Sequence, residues 1–316
     1  MLGWRLVVSA VLIPAFVGLC YFDARLGPSA PVLLCLTLLI AVRSCWELVG
    51  LFRTRSFEPS FLETTLLSSF LVLSAWLPHI EALNWLDRAG IDSGLVFGLA
   101  VLWLLASNAF RYQGPGKRME TLGAELLIVS YAGLLLCLTA RLRWVGGGED
   151  AARGYYVLGS LIIAAKCGDI GAYTVGRLFG RRKMAPLLSP GKTWAGFCGA
   201  LVVAGLASYL WLQFAHNLFN ANWFPSSAIV CLIYGVLVAI AGLVGDLCES
   251  LIKRDLGKKD AAALLPGFGG LVDITDSIVY AGPIAYLLWL TLPPSTWTAD
   301  PMTGLAMAVP SLFHWL

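Results

Sequence analysis

Residues 227–276 read SAIVCLIYGVLVAIAGLVGDLCESLIKRDLGKKDAAALLPGFGGLVDITD. No charged residue appears between Ser227 and Gly245. A helix needs roughly 20 apolar residues to cross a hydrocarbon core, and this run supplies them. Charge then begins while helical spacing persists. Asp246, Glu249, Ser250 and Lys253 stand three, one and three positions apart, so they share one helical face. A connection rich in Gly and Pro follows, with Pro266, Gly267, Gly269 and Gly270. The next apolar run opens with Asp273, Asp276, Ser277 and Tyr280 on a similar stripe. Two antiparallel membrane helices joined this way would bring two acidic faces together at a membrane edge.

The rest of the chain agrees with a membrane setting. Of its 316 residues, 58% are hydrophobic and only 13% are charged. A soluble domain carries about a quarter charged residues, so lipid must solvate much of this exterior. The apolar runs are continuous, which argues against an alternating β-barrel pattern. The expected fold is all-α, a polytopic integral membrane helical bundle of about nine transmembrane helices. The predicted spans are Leu6–Tyr21, Pro31–Val42, Phe61–Leu77, Ser93–Phe110, Leu122–Leu142, Tyr155–Val175, Thr193–Phe214, Ser227–Leu247 and Leu271–Leu292. The second continues as an amphipathic helix through Trp46 to Phe52. Residues 1–150 hold five spans, residues 151–296 hold the polar motifs, and residues 297–316 form an apolar tail broken by Pro301 and Pro310. The whole reads as a single membrane domain.

Basic residues orient the bundle. With a cytoplasmic N-terminus, sixteen Lys and Arg residues fall on the cytoplasmic side and five on the other, with Lys166 inside a span. That asymmetry follows the positive-inside rule. It places the Asp246–Asp276 segment in the cytoplasm and the C-terminus outside. The first apolar run reads as a span rather than a cleaved leader, since no clean A-x-A site follows it. A net charge of +3 gives no case for a nucleic-acid partner. The eight cysteines lie mostly inside apolar runs, without C-x-x-C spacing, and read as small buried side chains.

Two further segments carry polar groups that hydrocarbon disfavours. Lys166, Asp169, Tyr173 and Arg177 are spaced three, four and four, on one helical face. An internal Lys–Asp pair that merely neutralises itself is the plainer account. Ser189, Lys192 and Thr193 lie at a helix entrance, where free N–H groups favour phosphate. Gly191-Lys192-Thr193 ends like a P-loop, but Pro186 stands where the motif needs its first Gly. A basic cytoplasmic loop before a helix would also account for it.

Carboxylates and hydroxyls without a His or Cys cluster suit a hard ion such as Mg²⁺. Asp246 and Asp273 could share it, with Lys253 and Arg254 facing phosphate. The three histidines, 79, 216 and 314, are distant in sequence, which disfavours a His base. The chemistry that remains is phosphoryl or nucleotidyl transfer, driven by positioning and electrostatics.

The residues from Ser250 to Asp276 resemble the signature of the phosphatidate cytidylyltransferases, the CDP-diacylglycerol synthases: S-x-x-K-R-x4-K-D, a spacer, then P-G-H-G-G-x-x-D-R-x-D. Ser250, Lys253, Arg254, Lys259, Asp260, Pro266, Gly267, Gly269, Gly270, Asp273 and Asp276 match in register. The lead-in at Gly245–Ser250, the D-x-G-A-Y-x-x-G-R-x-F-G run at Asp169–Gly180 and S-P-x-K-T-W at Ser189–Trp194 match too. Three positions depart: Phe268 replaces the His, Ile274 the Arg, and Ala195 the usual acidic or amide residue.

The resemblance implies that CTP and phosphatidate give CDP-diacylglycerol and pyrophosphate. It implies Asp246 and Asp273 as Mg²⁺ ligands, with a monovalent cation such as K⁺ completing the pair. Lys253 and Asp276 join them as catalytic residues. Ser189, Lys192, Thr193, Arg254, Lys259, Asp169, Tyr173, Glu249 and Ser250 line the substrates. It also implies a homodimer and a bacterial inner membrane with the site facing the cytoplasm. Two alternatives stay open. One is a CTP-dependent transferase or kinase acting on another lipid. The other is an ion or phosphate transporter that uses Lys166, Asp169 and the acidic pairs as a midplane site.

Overall fold

In the computed structural model, each expected span is helical, and boundary residues explain where several helices start. The structure describes residues 2–55, 57–145, 151–219, 227–258, 261–262 and 269–291, with side chains from residue 14 onward and, in the helix after residue 150, from 153. Among the described residues, nine helices of 14 residues or more follow in order: α1 (Leu2–Arg25), α2 (Pro31–Arg53), α3 (Phe61–Ser74), α4 (Ser93–Phe110), α5 (Arg118–Trp144), α6 (Ala151–Phe179), α7 (Trp194–Phe214), α8 (Ala228–Asp255) and α9 (Leu271–Thr291). Pro31 starts α2, where its missing N–H costs nothing. Ser60, Asp92 and Thr193 cap α3, α4 and α7 by accepting the N–H of Glu63, Leu95 and Gly196.

Seven of the described helices, α2 and α4 to α9, are long and apolar enough to cross a membrane. The bundle is thus all-α and polytopic. Helix α3, with 14 residues, is shorter than the expected span Phe61–Leu77. The chain leaves the helix at Ala75 because Pro78 follows in a tighter turn. Helix α5 contains a π-helical stretch, Ser130–Leu135. The expected tail, residues 297–316, lies outside the described residues.

One feature here differs from the sequence expectation. Ser189–Thr193 is not a helix entrance along its length. It is a strand, β2, paired antiparallel with β1 (Lys183–Ala185), and only Thr193 sits at the mouth of α7. Helix α8 runs unbroken past the expected span end at Leu247 to Asp255, so the charged face from Asp246 to Lys253 is helical, as its spacing predicts.

Helices α6 and α7 cross closely. A side chain at Gly199 would reach within 2.5 Å of Val175 Cβ and 2.7 Å of the Gly171 carbonyl. Only glycine permits that approach. Buried polar groups tie the amino-terminal helices. Glu125 of α5 accepts Asn108 Nδ2 of α4 at 2.6 Å and the N–H of Ser60 at 3.0 Å. Asp23 of α1 accepts the N–H of Val32 at 2.7 Å and the hydroxyl of Tyr155 on α6. One buried apolar cluster runs from Leu33 of α2 through Tyr156 of α6 to Trp289 of α9. Helix α9 packs on α5 as well as α8, with Gly282 set against Thr139.

Candidate active site

The charged face of α8 meets the first turns of α9. Lys253 Nζ lies 2.6 Å from Glu249 Oε2 and 2.6 Å from Asp273 Oδ1, stitching the two helices together. Its ammonium is mostly shielded, so these contacts are worth more than a surface pair. Asp273 Oδ2 accepts the N–H of Gly270 at 2.5 Å and that of Ala261 at 3.2 Å. Gly269 holds a φ of 84°, a left-handed turn that favours glycine.

Two more lysines close the ring from other elements. Lys192 of β2 places Nζ 2.8 Å from Asp246 Oδ2 and 3.3 Å from the Leu243 carbonyl. The β1–β2 hairpin delivers it there. Lys166 of α6 places Nζ 3.1 Å from Asp169 Oδ2 and 2.9 Å from Ser277 Oγ. Ser277 Oγ in turn donates to Asp169 at 3.2 Å, and its N–H donates to Asp276 Oδ1 at 2.6 Å.

Between these lysines, carboxylate oxygens of Asp246, Glu249 and Asp276 lie within 4.8 Å of one another. Glu249 and Asp276 are buried. Two like charges at that separation repel by about 3–4 kcal/mol at an effective dielectric near 20. A cation would relieve that repulsion. The donors are all carboxylate oxygens, which fits a hard divalent ion such as Mg²⁺. Glu249 Oε1 is buried and makes no hydrogen bond among the described residues, which suits an oxygen that ligates a cation.

The expected pairing of Asp246 with Asp273 differs from this geometry. Asp273 spends its oxygens on Lys253 and two main-chain N–H groups, and Glu249 and Asp276 stand beside Asp246 instead. The reason is the helical turn. Both acids face the α8 stripe one turn apart: Asp276 lies beside Asp246 and Glu249, and Asp273, nearer the α9 N-terminus, lies beside Lys253.

The remaining expected residues are spread around this centre. Ser250 is buried on α8 and Thr193 serves as the α7 cap. Arg254 turns outward, donating to the carbonyls of Leu188 and Lys258 at 3.3 and 3.5 Å, so it braces the hairpin. Tyr173 is exposed on α6 and its hydroxyl accepts Arg177 Nη1 at 2.8 Å. Ser189 starts β2 on the same hairpin as Lys192. Lys259 and Phe268 lie outside the described residues. Ala195 occupies the first turn of α7.

One buried acid at the site escaped the sequence reading. Glu47 of α2 accepts the N–H of Leu271 at 2.9 Å and of Val272 at 3.0 Å. Arg43, one turn earlier on α2, places Nε 2.9 Å from Glu47 Oε1. The available signal was its place on an otherwise apolar amphipathic stretch.

A model of the Cytidylyltransferase family matches residues 4–292. A phosphatidate cytidylyltransferase of Haemophilus influenzae is 31% identical over 303 residues, covering 90% of this chain and 96% of that protein. One from Pseudomonas aeruginosa is 32% identical over 298 residues, covering 92% and 97%. The uncharacterized Escherichia coli protein YnbB is 36% identical over 270 residues, covering 78% and 85%. The match runs from the first helix to the end of α9 and takes in all three lysines and the carboxylates they surround, so the chain belongs to the Cytidylyltransferase family.

Proposed function

We propose that this chain transfers the cytidylyl group of CTP to phosphatidate, giving CDP-diacylglycerol and pyrophosphate. The observation that carries the reading is the cluster of Asp246, Glu249 and Asp276, ringed by Lys166, Lys192 and Lys253 in a chain of this family. Both substrates are phosphate esters, and both need cations to approach each other. Family membership also displaces the transporter alternative.

A phosphate oxygen of the lipid attacks the α-phosphorus of CTP. The new P–O bond forms as the bond to the β-phosphate oxygen breaks, and pyrophosphate leaves with that electron pair. Lys192 and Lys253 neutralise phosphate charge as the two anions meet. Asp273 orients Lys253, and Asp246 holds Lys192 in place. Asp246, Glu249 and Asp276 would hold Mg²⁺, with a monovalent ion such as K⁺ beside it. When bound, Mg²⁺ supplies electrostatic stabilisation of the phosphoryl oxygens. Asp169, Tyr173 and Arg177 line the exposed face of α6 next to Lys166, a route by which a lipid phosphate reaches the lysines. Lys192, Lys253 and Arg254 belong to the basic side of the chain, so the site faces the cytoplasm, where CTP is available. A bacterial inner membrane is the setting this implies.

The test is direct. Purified protein with Mg²⁺ and labelled CTP is offered phosphatidate and a panel of other lipid phosphates. A lipid-linked cytidine nucleotide with phosphatidate supports the reading. Product only with another lipid phosphate assigns the chain to a related transferase. No product with any lipid or metal overturns both.

A further inference from the structure

Glu47 belongs to the half of the chain that carries none of the signature motifs, yet its carboxylate is buried against α9. The two N–H groups it accepts are the first of that helix, and they lie 224 and 225 positions away in sequence. A helix N-terminus leaves its first N–H groups without partners inside the helix, and the dipole favours a carboxylate there. The residue just before the helix normally provides this cap. Here that residue is Gly270, which has no side chain to give. A Cβ at Gly270 would run into Glu47 Oε2, so the glycine makes room for the remote carboxylate. Arg43 Nε, 2.9 Å from Glu47 Oε1, holds the acid from one turn earlier on α2.

We propose that Glu47 is a positioning residue for the reaction, pinning the first turn of α9 so that Asp273 grips Lys253 and Asp276 faces Asp246 and Glu249. This rests on the function proposed above. The anchored N–H groups belong to the two residues immediately before Asp273, and Asp276 lies one turn further on. Release of that turn lets both acids swing away from α8. The amino-terminal helices thereby act on the site although they contribute none of its three clustered carboxylates.

The experiment compares Glu47→Ala, Glu47→Gln, Gly270→Ala and the Glu47→Ala/Gly270→Ala double variant, purified in detergent. Mn²⁺ binding without substrates is read by electron paramagnetic resonance of the free ion. The thermal midpoint, and kcat and KM for CTP, are measured alongside. Loss of a group that orients metal ligands typically weakens metal affinity about 10- to 100-fold. Glu47→Ala is expected to do so and to lower kcat more than it raises KM. Glu47→Gln, which keeps one acceptor, falls between. Gly270→Ala resembles Glu47→Ala, and the double variant is no worse than either single one.

A Glu47→Ala protein with a lower thermal midpoint but wild-type Mn²⁺ affinity and kcat overturns the proposal, leaving Glu47 a simple helix cap. Additive losses in the double variant, or wild-type protein that binds no Mn²⁺, overturn it as well. Should Glu47→Ala fail to fold, Glu47→Gln and Gly270→Ala decide by the same criteria. Wild-type protein that binds Mn²⁺ but makes no nucleotide lipid defeats the proposed reaction alone, and the Mn²⁺ comparison still judges Glu47.

Discussion

Lys166 Nζ donates to the main-chain carbonyl of Ile274 at 3.0 Å, joining α6 to the first turns of α9. Ile274 is the position where related signatures carry Arg, so a cation reaches this turn from another helix. Its other contacts, Asp169 and Ser277, lead to Asp276. A hydrogen bond to a charged group contributes about 1.5–3 kcal/mol. Lys166→Met is therefore expected to lower kcat/KM roughly 10- to 150-fold, while Lys166→Arg retains more. Steady-state kinetics with CTP and phosphatidate check this, and unchanged kinetics in Lys166→Met would refute it.

The carboxylates are expected to separate by function on substitution. Asp246→Asn and Asp276→Asn each remove a charge from the cluster and should cut turnover by about 10²–10³. Both should raise the Mg²⁺ concentration needed for half-maximal activity. Asp273→Asn disturbs Lys253 instead and should raise KM for CTP with a smaller change in Mg²⁺ requirement. A Mg²⁺ titration of the three variants distinguishes the roles. The largest shift appearing in Asp273→Asn would return that residue to the metal site.

Metal removal gives a related outcome. Chelation by EDTA is expected to abolish nucleotide-lipid formation, and added Mg²⁺ to restore it. Activity that persists after exhaustive chelation contradicts the metal assignment.

Lys192 reaches Asp246 from a hairpin rather than a membrane helix. Lys192→Ala is expected to weaken CTP binding by roughly 10- to 100-fold, from about 1.5–3 kcal/mol for a charged hydrogen bond. Isothermal titration with CTP measures it. Wild-type affinity would exclude Lys192 from the nucleotide site.

Gly199→Ala places a methyl group against Val175 and the Gly171 carbonyl where α6 crosses α7. Overpacking costs about 1–3 kcal/mol, so the thermal midpoint in detergent should fall. Circular dichroism melts provide the check, and an unchanged midpoint would mean that the crossing opens without cost.

By itself the sequence determined the membrane class, the helical runs and the acidic stripes. These follow from local rules: apolar length sets a span, and a three-to-four spacing sets a face. It also marked Lys166, Lys192 and Lys253, because charge beside hydrocarbon has to be explained. Tertiary structure decided the pairings. Which of Asp273 and Asp276 stands beside Asp246 depends on how far α9 is offset along α8, and spacing leaves that open. The strand at Ser189–Thr193 exists only because β1 lies beside it. Glu47 meets α9 across more than two hundred residues, and no local pattern records a contact between distant segments. The Asp246–Asp276 stretch therefore carries its chemistry in sequence, while the packing of α2, α6 and the hairpin around it selects which of its acids stand together.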